Sequence, residues 1–183
     1  DTSSYNISYV KKFSHGTDIV LIRGYLREQG FITYKLMSYR EIVDGLLNGW
    51  LKLVNRNRGS GTRLLLDHIL KSELSKQGSL DRKLEDIVRG YNSEVYTHFD
   101  VAMKVASREA DVGVGIRWVA EAYKLYFTPI TWEKFDFILL RNRLDRTCIK
   151  DFIKILREEV GNIIIDFKGY RLDKQIGGII ERI

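Results

Sequence analysis

The stretch Trp50-Leu51-Lys52-Leu53-Val54-Asn55-Arg56-Asn57-Arg58-Gly59-Ser60-Gly61-Thr62-Arg63-Leu64-Leu65-Leu66-Asp67 carries three local codes in succession. Residues 50–54 are a short β-rich run, which predicts a strand. Asn55 to Thr62 is polar and holds two glycines, which marks a turn. From Arg63 to Leu70 the apolar spacing becomes that of a helix. A helix opened in this way has first-turn N–H groups with no intrahelical partner, at the positive end of its dipole. Gly59 and Gly61 let a ligand approach the backbone. Ser60 and Thr62 add hydroxyl donors, and Arg58 and Arg63 add charge, with solvent as the alternative direction for Arg63. Together these suit a phosphate-sized oxyanion; the plainer alternative is a glycine turn with a Ser or Thr cap. The nucleotide P-loop is excluded, because Thr62 stands where that motif needs lysine and Arg56 where it needs its first glycine.

Towards the N-terminus, Asp18 to Arg23 and Gly30 to Tyr34 read as two strands joined by the polar connection Arg27-Glu28-Gln29-Gly30. Ser38 with Glu41 forms a capping box for a helix from Tyr39 to Leu47 that ends at Asn48-Gly49. Beyond the central stretch, Gly78-Ser79 precedes a helix near Leu80 to Val88, and Gly90-Tyr91-Asn92 is a turn. Thr97 can cap a helix whose apolar face is Phe99, Ala102, Met103 and Ala106. Ala110 to Ile116 is a small-residue strand and turn, and Trp118 to Leu125 a short helix. Tyr126 to Ile130 and Phe135 to Leu140 are β-rich runs around Pro129. A helix spans about Arg146 to Glu159, and Asn162 to Phe167 fits either a strand or a helix end. Strands alternating with helices predict an α/β fold with a largely parallel sheet. Such sheets bind ligands beyond the carboxyl ends of their strands, where Asn55 to Thr62 lies.

Other constellations carry less. In Tyr96-Thr97-His98-Phe99-Asp100 a second helix start places free N–H groups beside a hydroxyl and an imidazole. That suits ligand contact or simple capping. The glycines of Val112-Gly113-Val114-Gly115-Ile116 suit tight strand–helix packing. His15 and His68 are isolated, and no His, Cys or carboxylate spacing suggests a metal cage. There is no nucleophile–base–acid set, so the chain reads as non-catalytic, at most a domain of an enzyme. The formal charge is +6 over 183 residues. This favours anionic partners, but acids interrupt the basic residues, unlike a nucleic-acid-binding block. No apolar run is long enough to span a bilayer. The single cysteine, Cys148, is expected to be buried in its helix, and a lone thiol suits the cytoplasm.

Five segments in order resemble a known family: Tyr5-Asn6, Arg27-Glu28-Gln29-Gly30, Val54 to Asp67 with its Asn-Arg-x-x-Gly-Ser-Gly-Thr-Arg string, Thr97-His98, and Ala110 to Ile116. They are similar to the periplasmic-binding-protein-like (type II) domain related to molybdate- and tungstate-binding proteins. That domain occurs in molybdate-responsive regulators and in molybdopterin-biosynthesis fusions. The resemblance implies two lobes with mostly parallel sheets flanked by helices. Residues 27–132 would form the second lobe, and 1–26 with 133–183 the remainder of a first lobe that lacks the family's N-terminal segment. It implies that Ser60, Gly61 and Thr62 grip the anion beside Gly59, with Arg58 lending charge. Thr97 and His98 would face the same cleft, and Gln29 would lie near the hinge strands. The expected ligand is molybdate, tungstate or a related oxyanion, with no cofactor. Expected partners are the missing lobe or an attached DNA-binding or biosynthetic domain, with a second copy of the chain a further candidate. A pterin cofactor, or an interaction module with a vestigial cleft, stands as the alternative.

Overall fold

The structure is a computed structural model that describes residues 5–14, 16–79 and 81–183. His15 and the Leu80 start expected for a helix lie outside the described residues, as does the Tyr5 side chain. The chain runs through α1 (Tyr5–Phe13), β1 (Ile19–Thr33), α2 (Tyr39–Leu47), β2 (Leu53–Arg56), α3 (Gly61–Lys76), α4 (Leu84–Ile87), β3 (Glu94–Val95) and α5 (His98–Ala106). It continues through β4 (Val112–Ile116), α6 (Arg117–Ala122), β5 (Tyr126–Leu140), α7 (Thr147–Glu158), α8 (Val160–Ile164), β6 (Tyr170–Leu172) and β7 (Ile179–Arg182). Two compact units result, Glu28–Thr131 and Asp1–Arg27 with Trp132–Ile183.

In the unit Glu28–Thr131, β2 lies between β3 and β4 and runs parallel to both, pairing Leu53 with Val112 and Asn55 with Glu94. The expected parallel pairing therefore holds around β2. The sheet as a whole is mixed, because β1 runs antiparallel to β4, with Gln29 opposite Ile116. Alternation along the strands builds a core on each face. Phe31, Leu53, Val112 and Val114 pack with Ile42 and Leu46 of α2 and Leu66, Leu70 and Leu74 of α3. Their neighbours Ile32 and Val54 pack on Val101 and Val105 of α5 and Ala120 of α6. Gly113 is needed for that second face, since a Cβ there would stand 2.4 Å from Val101 Cγ1. The capping box of α2 forms as its sequence predicts, Ser38 Oγ accepting from the Glu41 amide while the Glu41 carboxylate accepts from the Ser38 amide.

In the other unit, β6 and β7 pair antiparallel with the first part of β1. Arg23, 5% exposed, donates to Asp136 at 2.8 Å, and Asn6 Nδ2 donates to the same carboxylate. Tyr25, Phe135, Phe137 and Phe152 form a chain of ring contacts beside this pair.

Several local expectations are corrected. The two strands expected at 18–23 and 30–34 are one 15-residue strand, and so are the two runs around Pro129. The polar residues read as a connection stay extended because each has a partner: Arg27 pairs with Glu133 and Glu28 with Arg117, while Gln29 sits opposite Ile116. Pro129 lies on β5, which ends the strand order, and edge strands are where a sheet tolerates proline. Strands β6 and β7 were not expected. Residues 160–164 settle as helix, and the helix after Gly78 is confined to Leu84–Ile87. The helix α5 buries Val101, Ala102 and Val105 and leaves Phe99, Met103 and Ala106 exposed, so its apolar face is not the expected one. Cys148 is exposed, not buried.

Candidate functional site

The parallel strands β2 and β3 end side by side, and each leads at once into a helix start. After β2, Ser60 donates its amide to Asn57 O at 3.2 Å and becomes the N-cap of α3, its Oγ accepting from the Arg63 amide at 3.2 Å. Gly59 makes the turn possible with φ of 88°, a region that L side chains avoid. Nothing lies within 4 Å of where a Cβ on Gly59 or Gly61 would be, so this turn faces open space. The first turn of α3 holds no acidic residue. Its Gly61 and Thr62 amides, out of reach of any helix carbonyl, keep the dipole's positive end uncompensated by side-chain charge.

After β3 the second helix start is chemically different. Thr97 caps α5, its Oγ accepting from the Asp100 amide at 3.0 Å, while the Asp100 carboxylate accepts from the Thr97 amide at 3.0 Å. The dipole end of α5 therefore already holds an anion from the chain itself. Of the two helix starts, that of α3 is the one electrostatically open to an external negative charge.

Three arginines surround these turns, and they are not equivalent. Arg63 is buried at 4% exposure, donates to Glu94 at 2.5 Å and lies over the Tyr91 ring at 4.5 Å, so it turns inward and not to solvent. Arg58 is largely exposed and stands 3.7 Å from the same Glu94 carboxylate. Arg56 links the two helix starts. Its Nη2 donates to Tyr96 O at 2.8 Å, and its Nη1 lies 3.3 Å from His98 Nδ1. A guanidinium can only donate, so that ring nitrogen accepts. Residue-type reading passed over Arg56, although its place as the last residue of β2 was a usable signal. Glu94, which absorbs much of the basic charge, carried no signal in the sequence.

The expected site residues are thus placed as follows. Gly59, Ser60 and Gly61 form the exposed turn. Thr62 is there too, with its side chain buried at 4%. Thr97 and His98 open α5 on the neighbouring strand, and His98 Nδ1 is 3.5 Å from where a Gly115 Cβ would sit, at the end of β4. Gln29 is buried at 1% opposite Ile116, at the same carboxyl edge but two strands from β2. A cavity of about 320 Å³ is lined by Gly59 and Arg58, and its wall also holds Arg63, Asp67 and Glu85, so its charge is mixed. Among the described residues, no group of three or more His, Cys, Asp or Glu is arranged for a metal ion. Among the described residues, no helix is long and apolar enough to cross a membrane.

The family described as the PBP superfamily domain matches residues 1–157. The chain belongs to this family. PBP superfamily domains are ligand-binding, and the sheet flanked by helices is the fold of type II periplasmic-binding-like proteins. The uncharacterized protein YvgK of Bacillus subtilis (strain 168) is 31% identical over 162 residues, which are 87% of this chain and 49% of YvgK. The chain thus spans about half the length of that relative. Among solved structures, the L-phospholactate-bound PEB3 superposes with a TM-score of 0.57 at 11% identity, covering 92% of this chain and 85% of PEB3. The substrate binding domain of a putative molybdenum ABC transporter from Clostridium difficile gives 0.50 at 16%, covering 93% of this PBP superfamily domain and 74% of its own chain. At these identities the likeness is one of fold.

Proposed function

We propose that this PBP superfamily domain binds a small oxyanion at the start of α3, as a sensor or delivery module and not as a catalyst. The observation that carries the reading is the contrast between its two helix starts. That of α5 is neutralised by Asp100, whereas that of α3 is glycine-lined, has no acid in its first turn and is flanked by exposed Arg58, with the Arg56 guanidinium at the adjacent α5 start. Gly61 offers its exposed backbone amide and Ser60 its hydroxyl hydrogen, with Thr62 buried behind them, and Thr97 and His98 stand at the adjacent turn. Molybdate or tungstate is the ligand the sequence resemblance favours. The role would be in molybdenum-cofactor metabolism or its transcriptional regulation, alongside an attached DNA-binding or biosynthetic domain. The location we assign is the cytoplasm, where a lone exposed thiol such as Cys148 stays reduced.

A specific observation supports a second, larger class of ligand. Tyr96, next to the capped turn, is 75% exposed, which offers a flat surface to an organic anion such as a pterin phosphate. Calorimetric titration with molybdate, tungstate, sulfate and phosphate tests the first reading. Saturable heat with one of these anions, abolished by Ser60→Asp, is expected. Heat with none of them, together with quenching of a phosphorylated pterin's fluorescence, favours the second.

A further inference from the structure

We propose that the unit Glu28–Thr131 pairs with a second copy of itself through the outer face of α5. The helix is apolar on two sides. Val101, Ala102 and Val105 are fully buried, while Phe99 is 45% and Met103 47% exposed on the far side, in line with exposed Ala106. A helix that is apolar on both faces is ordinarily covered on both. The outer stripe continues onto α6, where Trp118 meets the Phe99 ring edge-on at 5.5 Å and Tyr123 approaches it at 6.5 Å.

The occupant follows from the order of the stripe. Phe99, Met103 and Ala106 recur at four and then three residues, the spacing of a helix–helix seam. They also run from large to small. An antiparallel second α5, centred on Met103, sets each Phe99 against the other copy's Ala106, the large-on-small fit that lets two helices close. Charge agrees. The first turn of α5 carries Asp100 and the last carries Lys104, so antiparallel copies bring unlike side-chain charges together. The same surface serves both partners, as a two-fold interface requires. Its large side chains expose on the order of a few hundred Å² of apolar area, against roughly 800 Å² per partner in a stable complex. The dimer is accordingly a dissociable one.

Sedimentation equilibrium of the whole chain is the test. The weight-average mass is expected to climb towards twice the monomer's as concentration rises to about 0.5 mM, which corresponds to weak but measurable association. Met103→Lys, which puts two like charges on the axis, and Ala106→Trp, which fills the space for Phe99, should each weaken association by about tenfold or more, roughly 1.4 kcal/mol. Both positions are exposed, so the far-ultraviolet circular dichroism should not change. Leu36→Lys, at a 79% exposed site elsewhere in the unit, should leave association as it was. In a Cys148→Ser background, Met103→Cys should give a disulfide-linked dimer on mild oxidation. A chain that stays monomeric at every concentration overturns the proposal, as does a dimer indifferent to Met103→Lys or one that Met103→Cys fails to link.

Discussion

The Arg63 guanidinium, on the first turn of α3, donates to the Glu94 carboxylate of β3 at 2.5 Å, across 31 residues of sequence. The same guanidinium donates to Arg56 O at 3.3 Å and covers the Tyr91 ring. This pair ties the turn at the start of α3 to the strand beside it and holds the Arg63 guanidinium inward.

Removing one partner should therefore cost stability first. Arg63→Met is expected to lower the unfolding free energy by about 2 kcal/mol, the range for a charge-assisted hydrogen bond whose acceptor remains partly solvated. Urea denaturation reads this directly. A variant as stable as the parent would mean that the pair contributes nothing beyond its desolvation cost.

Gly61 separates binding from folding. It opens α3 with no atom within 4 Å of a built Cβ, so Gly61→Ala should fold with equal or slightly higher stability. A methyl group at the start of α3 should nonetheless weaken oxyanion binding by about tenfold, if the anion approaches those amides closely. Gly59→Ala should instead lose about 1 kcal/mol of stability, because its φ is positive. Thermal melts beside calorimetry distinguish the two. Unchanged affinity in Gly61→Ala would move the ligand elsewhere.

The two caps should behave differently as well. Thr97→Val removes the hydroxyl that accepts from the Asp100 amide and should cost about 1 kcal/mol of stability. Its effect on oxyanion affinity should be smaller than that of Ser60→Ala, since Asp100 already fills the dipole end of α5. If Thr97→Val weakens binding more than Ser60→Ala does, the anion sits at α5.

Tyr91 makes the unit sensitive to alkali. Burial pushes its phenol above the ordinary 10.0; Arg63 pulls the other way, and Asp67, to which the hydroxyl donates at 2.9 Å, adds to the rise. A group whose folded value is raised holds its stabilisation below the unfolded value, 10.0, and loses it as pH climbs through the raised one. Melting temperatures should therefore fall above pH 10.0 more steeply in the parent than in Tyr91→Phe. At neutral pH the variant should be the weaker of the two by about 1 kcal/mol, for the lost hydrogen bond to Asp67. A constant gap across the alkaline range would contradict this account.

What sequence alone determined about this protein is what neighbours in the chain determine. The α/β class, the Ser38–Glu41 box, the strand–glycine–helix turn at Ser60 and the Thr97 cap all arise within four or five residues, where side chain and backbone meet whatever the rest of the chain does. Tertiary structure decided the rest. The stretch Arg27 to Gly30 stays in one long strand because Glu133 and Arg117 lie across from it. Arg63 turns inward because β3 delivers Glu94, and Arg56 gains its place because β3 brings Tyr96 O within 2.8 Å. The apolar residues of α5 line two faces at helical spacing, and periodicity cannot rank them. Contact with Gly113 and Val54 picked Val101 and left Phe99 and Met103 outside, because a close approach of helix to sheet exists only once the strands have assembled.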